Sequence, residues 1–234
     1  YMQIRKEKLG VEELHLYDLY VPIISDFDMK LSYEEACELV CEGLQPLGEE
    51  YIATLREAFK GGWIDVYENK GKRSGAYSWG CYGVHPYVLL NHSDDLGGAM
   101  TLAHELGHAF HNQCIRDHKA LNQRYSMPVA ETASTFNECV IMASAIGRAA
   151  DKAEKLALIE SQLQDATQII CDIYSRFRFE AMVFQNREEK FMDADTLCDY
   201  MLTAQKQSYG DGLDHSCLHP YMWICKSHYY GPTF

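Results

Sequence analysis

One segment limits the fold of this chain more than any other: His104-Glu105-Leu106-Gly107-His108, with Thr101-Leu102-Ala103 before it and Ala109-Phe110 after it. Asp94 or Asp95 caps a helix that runs from there to about residue 115. On a helix, positions i and i+4 share a face, so both imidazoles can reach one ion. Glu105 lies one residue beyond His104, where it can take a proton from a water whose pKa a divalent ion lowers to ~7. Apolar residues on the remaining faces predict that this helix is buried. The motif is short, however, and by itself it also fits two histidines packed in a core.

A catalytic zinc needs a third protein ligand and one open position. The pattern H-E-x-x-H-x-x-G-x-x-H fails, because it demands Gly at 111 and His at 114, where the chain has His111 and Cys114. A second pattern takes a carboxylate from another helix. Glu131 follows His108 by 23 positions, on a helix predicted from Pro128 to about 149. Ser134, Thr135 and Glu138 fall on the same face of that helix, where they can orient the zinc-bound imidazoles. Taken alone, Glu131 reads as a surface carboxylate favoured by the helix dipole. His111, three residues after His108, either braces the site or is a buried, hydrogen-bonded histidine. His15, His85, His92, His118 and His215 lack a companion carboxylate pattern and read as structural or exposed, although His85 and His92 bracket a strand that can line a cleft.

The remaining pattern is mostly helical. Ser32-Tyr33-Glu34-Glu35 is a capping box, followed by Ala36, Leu39, Val40 and Leu44 at helical spacing. Pro46 can restart a helix that Gly61-Gly62 ends. Long helices are expected over 151–188 and 193–208, and two short strands over 75–80 and 86–91. The second strand is the expected edge, where an extended peptide could pair.

Charge excludes some partners. Thirty-four acids against 21 bases give a net charge of −13, and residues 1–60 hold 13 acids and six bases of it, a local −7. Nucleic-acid backbones and anionic membrane surfaces repel such a chain. Lys70-Gly71-Lys72-Arg73 is the one dense basic run and reads as a solvated loop. Nine cysteines without a C-x-x-C pair, most in apolar or aromatic surroundings, predict reduced, buried thiols and a cytoplasmic setting. At 47% hydrophobic residues the chain is apolar enough for a real core, yet no apolar run approaches the ~18 residues of a membrane span.

The segment HELGHAFH, followed by VAETASTFNE, resembles the oligoendopeptidase F and thimet-oligopeptidase family of zinc metallopeptidases. The likeness extends upstream through GKRSGAYS and PYVLLN, and includes LHLYDLYVP near the start and HPYMWICKSHYYGPTF at the end. The resemblance implies a mainly α, zincin-like catalytic domain with a small β-sheet preceding the active-site helix. It implies that His104, His108 and Glu131 bind one Zn2+ and that Glu105 is the general base and acid; Thr135, Glu138 and His111 are the candidates to support those ligands. It matches His228, with His219 as the rival, to a histidine that binds substrate. Tyr77, Tyr87, Tyr229 and Tyr230 then line the substrate.

Together these readings predict that residues 1–234 form one catalytic domain, a fragment truncated at both ends, and possible association with the missing segments of a longer chain. The expected activity is zinc-dependent endopeptidase cleavage of short oligopeptides. The resemblance puts the main oxyanion donor a few residues beyond Phe234, so the alternative is a metal- and peptide-binding fragment with weak or no turnover.

Overall fold

The computed structural model describes residues 1–21, 23 and 29–231, and the backbone alone of Ser227 and His228. Two compact units emerge, residues 26–158 and residues 1–25 with 159–234.

Helix α1 (Met2–Leu9) goes unforeseen because it buries Arg5 and no apolar stripe. Helix α2 (Tyr33–Leu44) begins as expected: Ser32 Oγ accepts from Glu35 N at 3.3 Å, and Glu35 accepts from Ser32 N at 2.8 Å. Pro46 does not restart a helix directly. A 3-10 turn over Gln45–Leu47 intervenes, and α3 (Glu49–Lys60) follows Gly48 and stops at Gly61-Gly62.

Three short strands follow: β1 (Ile64–Asp65), β2 (Tyr77–Trp79) and β3 (Tyr87–Leu89), in the order β1-β3-β2. β1 runs parallel to β3 with Ile64 opposite Val88, and β2 runs antiparallel to it with Ser78 opposite Val88. This corrects the expected edge. β3 is central, and β2 and β1 are the edge strands. The cause is β1, two residues long and thus invisible as a sequence pattern. Lys72 is also no solvated lysine: its ammonium meets Asp65 Oδ1 at 3.0 Å and the Tyr67 carbonyl at 2.8 Å, clamping the chain that leaves β1.

Helix α4 (Leu96–Cys114) is capped by Asp95, whose carboxylate accepts from Gly98 N at 2.8 Å. Helix α5 (Met127–Arg148) starts at the expected Pro128. Leu102, Ala103 and Leu106 of α4 join Val40, Leu44, Ile52, Leu55 and Ile141 in one buried core. Gly107 lets the two helices approach: a Cβ there would sit 2.6 Å from the Ala133 carbonyl and 2.8 Å from Ser134 Cα. Buried Asn137 fixes their register by donating to the Ala103 carbonyl at 3.0 Å while accepting from Tyr51 Oη at 2.6 Å.

The unit boundary falls inside α6 (Lys152–Thr167), which continues through a π-helical turn (Gln168–Ile173) into α7 (Tyr174–Asn186). Helix α8 (Ala194–Tyr209) starts at Asp193, which accepts from Thr196 N at 2.8 Å. The second unit has two apolar clusters, Leu14, Leu19, Tyr209, Leu213 and Leu218, and Phe179, Met201 and Ala204. Arg5, wholly buried, ion-pairs with Glu160 at 2.6 Å and donates to the carbonyls of Asp18 and Val21. The chain is mainly α with a small sheet ahead of α4, the expected fold class. All nine cysteines are free, but none is fully buried and five are exposed, which corrects the expectation of interior thiols.

Candidate metal centre

Helical periodicity aims His104 and His108 off one face of α4, and the close α4–α5 packing brings Glu131 of α5 opposite them. One ligand atom from each of the three lies within 4.8 Å of the others. Glu131 Oε2 is 3.3 Å from His104 Nε2 and 3.5 Å from His108 Nε2. The two imidazole rings stand nearly perpendicular, 4.9 Å between centroids.

The far sides of these groups are held. Glu138 pairs with His104 Nδ1, which leaves the Nε2 lone pair directed at the centre. Ser134 Oγ donates to Glu131 Oε2 at 2.8 Å. Burial works against charging His104, but Glu138, Glu105 and Glu131 outweigh it and raise its pKa; burial and the neighbouring His104 and His111 hold His108 low against the pull of Glu131.

Glu105 is 5% exposed, and its Oε2 is buried without a hydrogen-bond partner. Burial is the main cause that pushes its pKa up to about 7; the His104 ring and the Ser78 backbone amide pull the other way. The three convergent donors and an unpartnered buried carboxylate oxygen fit a small divalent cation with a water beside it. Two imidazoles and a carboxylate are a zinc donor set.

These groups open on a cleft of about 630 Å³. Tyr77 and Trp79 of edge strand β2 line it, as do Asn112 and Tyr125. Asn112 Nδ2 donates to the His108 carbonyl at 3.0 Å, and its Oδ1 accepts from Tyr125 Oη at 3.3 Å. The sequence reading missed this pair, for which the only available signal was Asn112 lying four residues after His108.

Other expected residues have partners of their own. Thr135 Oγ1 donates to the Glu131 carbonyl at 2.5 Å, so its hydroxyl serves the backbone of α5 and no imidazole. His111 packs on Tyr125 at 4.3 Å and lines a separate apolar cleft with Phe110 and Phe136. Tyr87 sits on central β3 beside His85, which in turn stacks on Trp63. The His92 side chain is fully buried against Tyr33. In the other unit, Tyr229 Oη donates to the Arg176 carbonyl at 3.2 Å, Tyr230 Oη to the Trp223 carbonyl at 3.3 Å, and His219 Nδ1 accepts from Tyr221 N at 3.2 Å. The His228 side chain lies outside the described residues.

Fold and site together define a class: a helical protein with a two-histidine, one-carboxylate centre on a pair of packed helices, flanked by a β-edge. The sequence profile of peptidase family M3 matches residues 1–234, and the chain belongs to that family. Oligopeptidase PepF of Bacillus subtilis is 37% identical over 215 residues, 91% of this chain and 32% of the relative. An oligoendopeptidase F homolog of Borreliella burgdorferi is 33% identical over 239 residues, all of this chain and 40% of the relative. The crystal structure of a peptidase from Chlamydophila abortus matches with a TM-score of 0.79 at 32% identity, covering all of this chain and 40% of that one. A PZ peptidase A, at TM-score 0.78 and 20% identity over 98% of this chain and 41% of that one, shares the fold. The chain thus spans between a third and two fifths of the relatives it matches.

Proposed function

We propose that this chain carries the zinc-binding and proton-transfer machinery of an endopeptidase acting on short oligopeptides, and that residues 1–234 work as one catalytic domain. The observation that carries the reading is the convergence of His104, His108 and Glu131 beside a buried, unpartnered Glu105 oxygen. Relatives bearing the names oligopeptidase and oligoendopeptidase supply the substrate class.

His104, His108 and Glu131 would hold the ion, with Glu138 and Ser134 fixing the orientation of His104 and Glu131. A bound zinc supplies Lewis acidity, polarising the scissile carbonyl and making water acidic near neutral pH. Glu105 removes a proton from the attacking water and passes it to the leaving amine nitrogen. Its burial keeps bulk water from competing for that proton. The edge of β2 offers backbone donors and acceptors to an extended peptide, which would lie beside Glu105 because Tyr77, Ser78 and Trp79 of that strand line the same cleft. A cytoplasmic setting is supported by nine cysteines that all stand as free thiols.

Replacing Glu105 with Gln keeps the shape and the metal but removes the base. Turnover of a quenched fluorescent peptide should fall by about 10²–10⁴-fold, the usual worth of general acid–base catalysis, with zinc content unchanged. Undiminished turnover would remove Glu105 from its role. The second reading, metal and peptide binding with little turnover, rests on the chain spanning 32% and 40% of two relatives. In the same assay it predicts bound zinc and bound peptide without product.

A further inference from the structure

His15 carries no ligand pattern in the sequence, yet it sits at the centre of a second cluster, wholly within the unit formed by residues 1–25 and 159–234. One ligand atom each from His15, Asp214 and Cys217 lies within 4.8 Å of the others. His15 Nε2 is 3.4 Å from Asp214 Oδ2. Bonds of ~2.0–2.3 Å at tetrahedral angles place neighbouring ligand atoms ~3.3–3.8 Å apart, so that pair already has the spacing of two ligands on one ion.

The imidazole is fixed for the task. Its Nδ1 lies 3.1 Å from Asp18 Oδ2, which also accepts from His15 N at 2.9 Å, and its ring stacks on Tyr17 at 4.9 Å. A carboxylate on Nδ1 leaves the Nε2 lone pair facing Asp214, the orientation found in carboxylate–histidine–zinc arrangements. The opposite side is equally constrained. Asp214 N donates to the Leu14 carbonyl at 2.8 Å, and Ser216 N donates to Asp214 Oδ1 at 2.9 Å. The Ser216 hydroxyl bonds the same carboxylate and lies 3.7 Å from Cys217 Sγ.

An imidazolium bridging Asp18 and Asp214 would account for the two carboxylates but assigns nothing to the thiol. A cation accounts for all three donors, because a carboxylate and a thiolate together neutralise a divalent ion. Imidazole, thiolate and carboxylate suit zinc, with a fourth position for water.

We propose that His15, Asp214 and Cys217 form a second zinc site, oriented by Asp18 and independent of the peptidase centre. It clasps the start of the 3-10 turn Leu16–Tyr20 to the 3-10 turn His215–Cys217.

Cobalt titration of the metal-free chain tests this, since a thiolate on Co2+ gives a near-ultraviolet charge-transfer band that the His104, His108 and Glu131 donors cannot give. With the peptidase centre also taking an ion, the band should reach its plateau by about two equivalents, vanish in Cys217→Ser, and require about 10–100-fold more cobalt in Asp18→Asn. A band unchanged in Cys217→Ser, or no band, overturns the proposal. So does binding equally weak in every variant, the mark of an adventitious ion only. Should Cys217→Ser fail to fold, alkylation of the wild-type chain decides, read cysteine by cysteine in the mass spectrometer. Zinc should slow labelling at exposed Cys217 by at least about tenfold and not at exposed Cys225; equal labelling overturns the site.

Discussion

At the scale of single residues, the centre depends on which nitrogen of each imidazole carries a proton. Glu138 settles that for His104 by pairing with Nδ1. Glu138→Gln keeps a group of the same shape but weakens the pairing, so zinc affinity, measured by competition with a chelating dye, should fall about 10–100-fold. Thr135→Ala should leave it unchanged, because that hydroxyl serves only the Glu131 carbonyl. Equal losses in the two variants would show that Glu138 does not orient the ligand. The contrast also explains what was legible. Glu131 and Glu138 lie seven residues apart on one helix face, and carboxylates at that spacing reach across to a facing helix. Thr135 shares the face, but a threonine hydroxyl in a helix finds the carbonyl four residues back first. His111 was ambiguous in sequence, and the structure gives its ring to Tyr125.

At the scale of elements, the site is a product of how closely α4 and α5 approach. Gly107 sits between the two histidines, facing the Ala133 carbonyl. Gly107→Ala forces the helices apart or distorts them, which should destabilise the fold by about 1–3 kcal/mol and weaken zinc binding as Glu131 withdraws. Denaturant unfolding and metal titration of that variant check the two effects, and a variant with wild-type stability and zinc affinity would contradict the close packing described here. Elements with strong local signals were readable: the capping box at Ser32, the Asp95 cap of α4, the proline at the start of α5. Those without were not. α1 buries an arginine where an apolar stripe would be expected, and β1 is two residues long. Missing β1 transferred the edge from β2 to β3, and with it the expected substrate contacts of Tyr87, His85 and His92.

At the scale of the whole molecule, ion binding should couple to stability, because the ligands come from two helices that separate on unfolding. A ligand at a thousand times its dissociation constant adds about 4 kcal/mol to the state that binds it. Adding zinc to the chelated chain should therefore raise the melting temperature of the unit formed by residues 26–158. A His108→Ala variant should lose that shift, and retention of it would place the stabilising ion elsewhere. The acidic surplus of residues 1–60 belongs to this scale too: every described residue lining the cleft falls between Ala76 and Glu131.

One ion held jointly by His104, His108 and Glu131 would be visible in a crystal structure of the zinc-loaded chain, with anomalous diffraction collected at the zinc edge. The expected peak lies within ~2.0–2.2 Å of His104 Nε2, His108 Nε2 and a Glu131 carboxylate oxygen, with Glu105 beside it but unbonded to it. A loaded crystal without density between those three side chains, or with Glu105 as a direct ligand, would contradict that arrangement.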